Sequence, residues 1–544
     1  MAPQKPEEKR RFGPMPALCA AGALFFALAL GWFHWRVVRA SYPQEYRESS
    51  MPAVTALLMR GGNPYDLEHQ PQYTTNYGIG YHWAVLPLAA WMGPTLTAHR
   101  MVSGLFIVCA CALLAIILSM RSVPPIETAL LALALYAQLL FYVQPLARPD
   151  GLGFFLFLAS LFAAWASKFS PAGLAACGAL ALLGFYTKAY CAAGALYVFI
   201  YCFLYVKKIR ALLFAALFGA ALAGTAWLMK DAYPAYFNNT VLAQASAAHW
   251  SWRHLANQFL VFLYFNKYLL ALFAAPFALQ WWRKHTYSKA AAPQTAQAAP
   301  QPAQRPDFFL FCFLAGCVLI AVRFGAHNGA WMTYWLQLLS PFLIILAAGA
   351  AKRSGMALAC GLLLVNLYSW RFSLLEQDNP AGYEQRWAAL AELMEQGMKT
   401  GDVLAAPPLE YYAMRDGKSV HFTGQTVFFT PADPPRALKA FFLPREAMQR
   451  RLDDYINWVN GALARREFSM VLLTRPDSAG IDPKMDRDYT QEYELLEEMP
   501  QANQAVTIRV YKPRPGQPLA ARTTPFRSAL DARRRAATAI ALSQ

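Results

Sequence analysis

Two glutamates three residues apart, Glu45 and Glu48, stand in a polar stretch between two long apolar runs. Arg148 and Asp150, two residues apart, open a later apolar run, and Lys188 follows the run after that. Each type has an obvious chemistry. An ionised carboxylate beside a partly dry cavity can accept a proton from a hydroxyl. Arginine offers a phosphate two parallel contacts, and lysine offers a point charge. A plainer reading stands beside this one: the glutamates cap a helix or decorate a solvated loop, Arg148 and Asp150 form a structural ion pair, and Lys188 anchors a membrane interface.

The elements that must position these groups are membrane spans. Of 544 residues, 57% are hydrophobic and 15% charged, and the mean hydropathy is +0.24. Soluble proteins carry about 25% charged residues, so an ordinary soluble enzyme is excluded, as is a disordered chain. A bilayer core of about 30 Å needs about 20 apolar residues in a helix. About eleven segments qualify, some of them short: 17–38, 101–120, 126–146, 151–166, 171–186, 189–206, 211–229, 259–281, 308–322, 335–350 and 356–370. The stretch 81–92 carries Pro87 and is followed by Gly93-Pro94, so it reads as an interfacial or re-entrant piece. The net charge of +17 fits basic cytoplasmic loops better than nucleic acid. With residues 1–16 in the cytoplasm, Arg121, Lys168, Lys207, Lys208, Arg210, Arg283, Lys284, Arg305, Lys352 and Arg353 all fall on the inner side. The loop 39–100 and the C-terminus then lie outside, in a bacterium the periplasm, and the charges of interest sit at span ends.

All nine cysteines lie in apolar stretches without a CxxC pair, which argues against disulfides or zinc. No Gly-rich nucleotide motif is present. The absence of an internal repeat weakens a transporter built on inverted repeats. Within the first outer loop, Ser50 with Pro52 signals a helix start and Gly61-Gly62 a stop, so a helix of about three turns is expected between them. Glu48 would precede its N-terminus, where the helix dipole favours an ionised carboxylate. Residues 284–305, rich in Ala, Pro and Gln, read as a flexible cytoplasmic linker. After residue 372 strands and helices alternate: helices over 383–398 and 447–465, and strands over 403–406, 468–474 and 505–511. This predicts a small α/β domain over 373–512, followed by a basic tail, 513–544, of disordered composition.

The loop "SYPQEYRESSMPAVTALLMRGGNPYDLEHQPQYTTNYGIGYHW" resembles the first periplasmic loop of the GT-C superfamily, the integral membrane glycosyltransferases that use polyprenyl-phosphate sugars, including the protein mannosyltransferase-like and aminoarabinose transferase-like groups. The matching positions are Tyr46, Glu48, Gly61, Tyr65 and the Tyr-rich turn from Tyr73 to Tyr81. The usual Tyr-Pro-Pro turn is replaced by Tyr77-Gly78-Ile79, and no tandem acidic pair is present, since Gln44 precedes Glu45. "PLARPDGLGFFLFLASL" resembles the Arg-x-Asp at an outer span start, and "LLGFYTKAY" places Lys188 where relatives meet the lipid phosphate. "GAHNGAWMTYWLQLLSP" resembles a late outer loop, with Tyr334 in place but Gln337 where relatives carry a carboxylate.

The resemblance implies a multi-pass α-helical membrane protein of the bacterial inner membrane. It implies inverting transfer of a hexosyl or pentosyl group from a polyprenyl-phosphate donor to a lipid, polysaccharide or protein acceptor on the periplasmic side. It implies a catalytic carboxylate at Glu48, with Glu45 as the alternative, and substrate contacts at Arg148, Asp150, Lys188 and Tyr77. Arg253 and His254, after an outer loop of aromatics and amides, and His327 and Tyr334 complete the candidate substrate-binding set. No metal ligand is assigned, but the superfamily differs in metal need, and a divalent cation between Asp150 and Glu48 is one role for that pair. No nucleic acid is implied. Two rivals stand: a multi-pass transporter or flippase using the same charges as a pathway, and a non-catalytic membrane scaffold with a partner-binding outer domain.

Overall fold

The computed structural model describes residues 14–45, 48–143, 145–243, 245, 251–287, 306–326, 333–351, 355–376, 380–405, 420–422, 429, 431–475, 493–500 and 507–514. The polar stretch that precedes the second long apolar helix itself carries two α-helices. After α1 (Pro14–Arg39) come α2 (Ser50–Met59) and α3 (Ile79–Met92), then α4 (Leu96–Met120). The bundle continues with α5 (Pro125–Tyr142), α6 (Asp150–Ala166), α7 (Pro171–Thr187), α8 (Ala193–Tyr201, flanked by short 3-10 and π turns), α9 (Lys208–Ala232) and α10 (Trp252–Tyr287). Three more follow: α11 (Pro306–Gly325), α12 (Thr333–Ala351) and α13 (Gly355–Glu376). Each of the eleven expected apolar segments falls on a helix. Five apolar stretches among the described residues are long enough to cross a membrane: Ala20–Arg39, Leu96–Met120, Ala189–Val206, Lys208–Ala232 and Trp252–Arg283. The others are shorter apolar helices, packed against their neighbours.

A single apolar core runs from α4 through α13, with Leu114, Leu135, Phe157, Phe313 and Ile344 at its centre. Cys111, Cys177, Cys191 and Cys202 sit in it as free thiols, small hydrophobes among larger ones. Large apolar side chains such as Phe25, Leu217, Leu228 and Leu319 point outward, as lipid contact requires. Pro87 does not interrupt the interfacial piece: α3 runs unbroken through it. The expectation that charges stay at span ends fails at Lys267. This exposed residue lies midway along α10, its Nζ 4.6 Å from the ring centroid of Tyr264 and 5.4 Å from that of Tyr268. The aromatic faces offset part of the cost of a cation at that depth.

The C-terminal region folds as a mixed sheet between two helices, α14 (Pro380–Thr400) and α15 (Arg445–Ala464). Its strands are β1 (Asp402–Ala405), β2 (Val420–Phe422), β3 (Phe468–Arg475), β4 (Tyr493–Pro500) and β5 (Thr507–Pro513), in the order β2-β1-β3-β5-β4. The β1–β2 and β1–β3 pairs are parallel and the other two antiparallel. Period-2 alternation sorts the side chains. Val403, Ala405, Met470 and Leu472 meet Trp387, Leu390 and Met394 of α14, while Leu404, Val471 and Leu473 meet Tyr455 and Val459 of α15. The sequence pattern had not indicated β2 and β4. The first has three residues, and the second carries Glu494, Glu497 and Glu498 on the edge of the sheet, where charge discourages further strand pairing.

This domain is fastened to the loops that follow α1, α2 and α9. Tyr42 stacks on Trp387 with ring centroids 6.4 Å apart. Arg451 donates from Nε to the carbonyls of Leu67 (2.7 Å) and Gln70 (2.8 Å). Asn238 donates to the carbonyl of Leu443 and accepts from its N–H.

Candidate active site

Four helix ends meet at one end of the bundle: the C-terminus of α1, the N-termini of α4 and α6, and the C-terminus of α7. Arg121, expected on the inner side, lies at the other end of α4, which spans about 37 Å at 1.5 Å per residue.

The short helix after the glutamates forms as expected, with Ser49 rather than Ser50 at its N-cap, a one-residue difference. Gly61 stops it with φ +73°, a backbone state that suits glycine, and the Gly62 N–H donates to the Leu57 carbonyl. Two further glycines allow close approach. A Cβ on Gly78 would collide with the carbonyl of Tyr186, and one on Gly151 would lie 2.6 Å from the carbonyl of Ser103. The first lets the Tyr77 turn lie against the end of α7. The second lets α6 press on α4 beside Asp150.

The charged side chains then form an unbroken chain. Arg148 Nη1 lies 3.5 Å from Glu45 Oε2, and Arg148 Nε lies 3.1 Å from Asp150 Oδ2. Lys188 Nζ donates to Asp150 Oδ1 at 2.6 Å. The Lys188 ammonium also sits over two rings, 5.5 Å from the centroid of Tyr77 and 5.3 Å from that of Tyr190. Glu45 is 20% exposed and Arg148 17%, against 8% for Asp150 and 10% for Lys188. The first two therefore face accessible space while the second two support them from beneath. The Arg148 backbone is pinned too: its carbonyl accepts from Ser103 Oγ at 2.7 Å.

Glu48 is placed differently from its expected role. It has no exposed surface. Oε1 accepts from Arg100 Nε (2.8 Å) and from the Ala147 N–H (2.6 Å). Oε2 accepts from Arg100 Nη2 (2.7 Å) and from the Gln44 N–H (2.7 Å). A carboxylate has about four acceptor positions, and all are filled. Burial alone would raise its pKa. The charge and hydrogen bonds of Arg100, with the amides of Ala147 and Gln44, outweigh that and hold the carboxyl below its ordinary range. Of the two glutamates, Glu45 keeps some exposed surface and Glu48 has none, so the accessible carboxylate expected from the sequence is not Glu48. A cation shared by Glu48 and Asp150 does not fit either, because each carboxylate is already engaged by cationic side chains. Among the described residues no three His, Cys, Asp or Glu side chains converge as a metal-binding group.

Sequence reasoning missed Arg100. At the foot of an apolar helix it reads as an interface anchor, and only its partners, about 50–60 residues away in sequence, reveal otherwise. It also missed the buried trio in which Thr55 Oγ1 lies 2.9 Å from both His82 Nδ1 and His99 Nε2. Burial, then neighbouring His99, lowers the His82 pKa to about 3, so it is neutral at working pH. Two other candidates are not joined to the charged chain. Arg253 is exposed and His254 half-buried at the start of α10, where the Ser251 hydroxyl accepts from the His254 N–H. No hydrogen bond or ion pair among the described residues joins either to Arg148, Asp150 or Lys188. Tyr334 is in the first turn of α12. Its side chain, Tyr46, His327, most of the 284–305 linker and nearly all of the 513–544 tail lie outside the described residues.

Fold and site together define an integral membrane protein: a multi-pass helical bundle with a small C-terminal α/β domain and a row of charges gathered at one end of the bundle. Among solved structures it is similar to ArnT from Cupriavidus metallidurans in the apo state, with a TM-score of 0.55 and 13% identity, over 90% of this chain and 98% of that one. It is likewise similar to the same protein bound to undecaprenyl phosphate, with a TM-score of 0.53 and 11% identity, over 92% and 99% of the two chains. At such identity the likeness is one of fold. No family model matches the chain, and no curated protein matches it by sequence.

Proposed function

We propose that this protein is a glycosyltransferase of the bacterial inner membrane, working at its periplasmic face with a polyprenyl-phosphate sugar as donor. The observation that carries this reading is the continuous row Glu45–Arg148–Asp150–Lys188 at one end of the bundle. It places one partly exposed carboxylate beside two cations, in a fold similar to that of a protein solved with undecaprenyl phosphate.

In the proposed reaction, Glu45 accepts the proton of an acceptor hydroxyl. The hydroxyl oxygen bonds to the anomeric carbon from the face opposite the phosphate. The bond between that carbon and the phosphate oxygen breaks, and the lipid phosphate leaves with the electron pair, which inverts the configuration. Arg148 and Lys188 stabilise the charge growing on the phosphate, a contribution that is often the largest single one in catalysis. Asp150 orients both cations, and Tyr77 and Tyr190 confine the Lys188 ammonium. Glu45 is chosen as base over Glu48 because a base must reach the proton it removes, and every acceptor position of Glu48 is occupied within the protein. The α/β domain caps the outer loops and borders the acceptor's approach; the acceptor is a lipid, polysaccharide or protein hydroxyl.

The test is incubation of the purified full-length protein with a panel of polyprenyl-phosphate sugars and cell-envelope acceptors. Release of polyprenyl phosphate coupled to glycosylated acceptor supports the reading. Movement of the intact donor across a bilayer without cleavage would replace it with a flippase. Neither cleavage nor movement would leave a scaffold.

A further inference from the structure

We propose that Glu48 and Arg100 form a positioning latch that sets the spacing between Glu45 and Arg148; this rests on the reading of Glu45 as the base. The pair shows a saturation that simple charge burial does not need. Arg100 spends all five of its N–H donors: Nε and one Nη2 hydrogen on Glu48, the other on the Tyr42 carbonyl at 2.8 Å, and both Nη1 hydrogens on the carbonyls of Val37 (3.1 Å) and Ala40 (2.5 Å). Those carbonyls are where the chain leaves α1 for the outer loop. The Glu48 carboxylate in turn accepts the N–H of Gln44 and the N–H of Ala147. Gln44 is the residue before Glu45, and Ala147 is the residue before Arg148. One buried carboxylate therefore holds the two backbone segments that carry the base and the phosphate-binding guanidinium. No element of regular structure joins those segments, which lie about 100 residues apart in sequence.

The arrangement explains why an expensive buried charge pair is placed here. Replacing such a pair by apolar residues is often neutral or stabilising, so stability alone is a weak reason for it. A polar cluster with every donor and acceptor matched defines one geometry and penalises others. Burial also removes Glu48 from the chemistry: its oxygens are closed to a substrate hydroxyl. Glu48 and Arg100 are positioning residues, and their effect on turnover passes through Glu45 and Arg148.

The deciding experiment is a double-mutant cycle on the full-length protein in nanodiscs, with Glu45→Gln, Glu48→Gln and the pair. Glu48→Asp and Arg100→Lys serve as second variants that keep the charges and shift the geometry. Misplacement by about 1 Å costs roughly 10²-fold in rate. We therefore expect Glu48→Gln and Glu48→Asp to lower kcat by about 10²-fold with KM for the donor little changed. We expect the Glu48→Gln effect to shrink on the Glu45→Gln background, because the part that acts through Glu45 has nothing left to position and only the part that acts through Arg148 remains. Binding of undecaprenyl phosphate, followed by tryptophan fluorescence, should be retained in each variant. Effects that multiply independently, or Glu48→Asp and Arg100→Lys enzymes that fold and turn over like wild type, would overturn the latch. Wild-type turnover in Glu45→Gln with none in Glu48→Gln would instead overturn the choice of base, a distinguishable result.

Discussion

Replacing Glu45 by Gln removes one proton acceptor and keeps the size and shape of the side chain, which makes it the sharpest perturbation of the proposed site. The side chain is 20% exposed and its ion-pair contact with Arg148 is long, at 3.5 Å. Exposed ion pairs contribute about 0.2–1 kcal/mol, so even this more buried pair should lower stability by no more than about 1–2 kcal/mol. Catalysis is more sensitive. A positioned general base contributes about 10²–10⁴-fold, or roughly 2.7–5.5 kcal/mol of barrier at 1.36 kcal/mol per tenfold. A base acts in the transition state and not in the bound ground state, so kcat should fall while KM for the donor stays near wild type. Initial rates of polyprenyl-phosphate release, measured beside a thermal-unfolding curve of the same preparation, separate the two effects. A folded Glu45→Gln protein with kcat within about threefold of wild type would refute the assignment of the base, whatever happens elsewhere in the row.

Three other outcomes follow from the same geometry. Lys188→Gln should weaken donor binding and turnover together, because it removes a cation from the proposed phosphate contact and leaves Asp150 with Arg148 alone; isothermal titration with undecaprenyl phosphate reads the first effect. Acidification should destabilise the protein in two stages. His82 is held neutral down to about pH 3, so its contribution is complete above the unfolded value of 6.5 and declines as pH falls below it, by about 2 kcal/mol at pH 5. The carboxyl of Glu48 is depressed from 4.5, so its contribution declines only below about that pH. His82→Asn should therefore flatten the fall in melting temperature between pH 7 and 5 and leave the lower stage in place. Arg451→Met should release the Leu67–Gln70 carbonyls from α15, seen as faster proteolysis of the first outer loop with the membrane helices still protected.

Much of the fold was legible because hydrophobicity has a length scale. A helix that must cross an apolar slab announces itself by about 20 apolar residues, and all eleven segments proved helical. Alternation of basic loops then predicted that Glu45, Glu48, Arg148, Asp150 and Lys188 share one face; the side chains of Glu45, Arg148, Asp150 and Lys188 do meet, while Glu48 pairs with Arg100 instead. The small domain was read from periodicity, and its missing strands are those with the weakest pattern, three-residue β2 and glutamate-rich β4. Pro87 misled because a proline weakens a helix without always ending it. Lys267 was overlooked because an apolar window tolerates one charge.

What the sequence alone determined is the class of object: a many-helix membrane protein with a small α/β domain, a short helix after the two glutamates, and charges gathered at helix ends. These follow from local composition and spacing, which act over one or two turns. Only the tertiary structure decided which glutamate is accessible. Glu45 and Glu48 differ by three positions and by nothing in local propensity. The distinction comes from Arg100 and the Ala147 amide, brought from α4 and from the turn before α6. A carboxylate becomes structural or available according to the donors that reach it, and those donors are set by chain segments about 50–100 residues away in sequence that helix packing brings together.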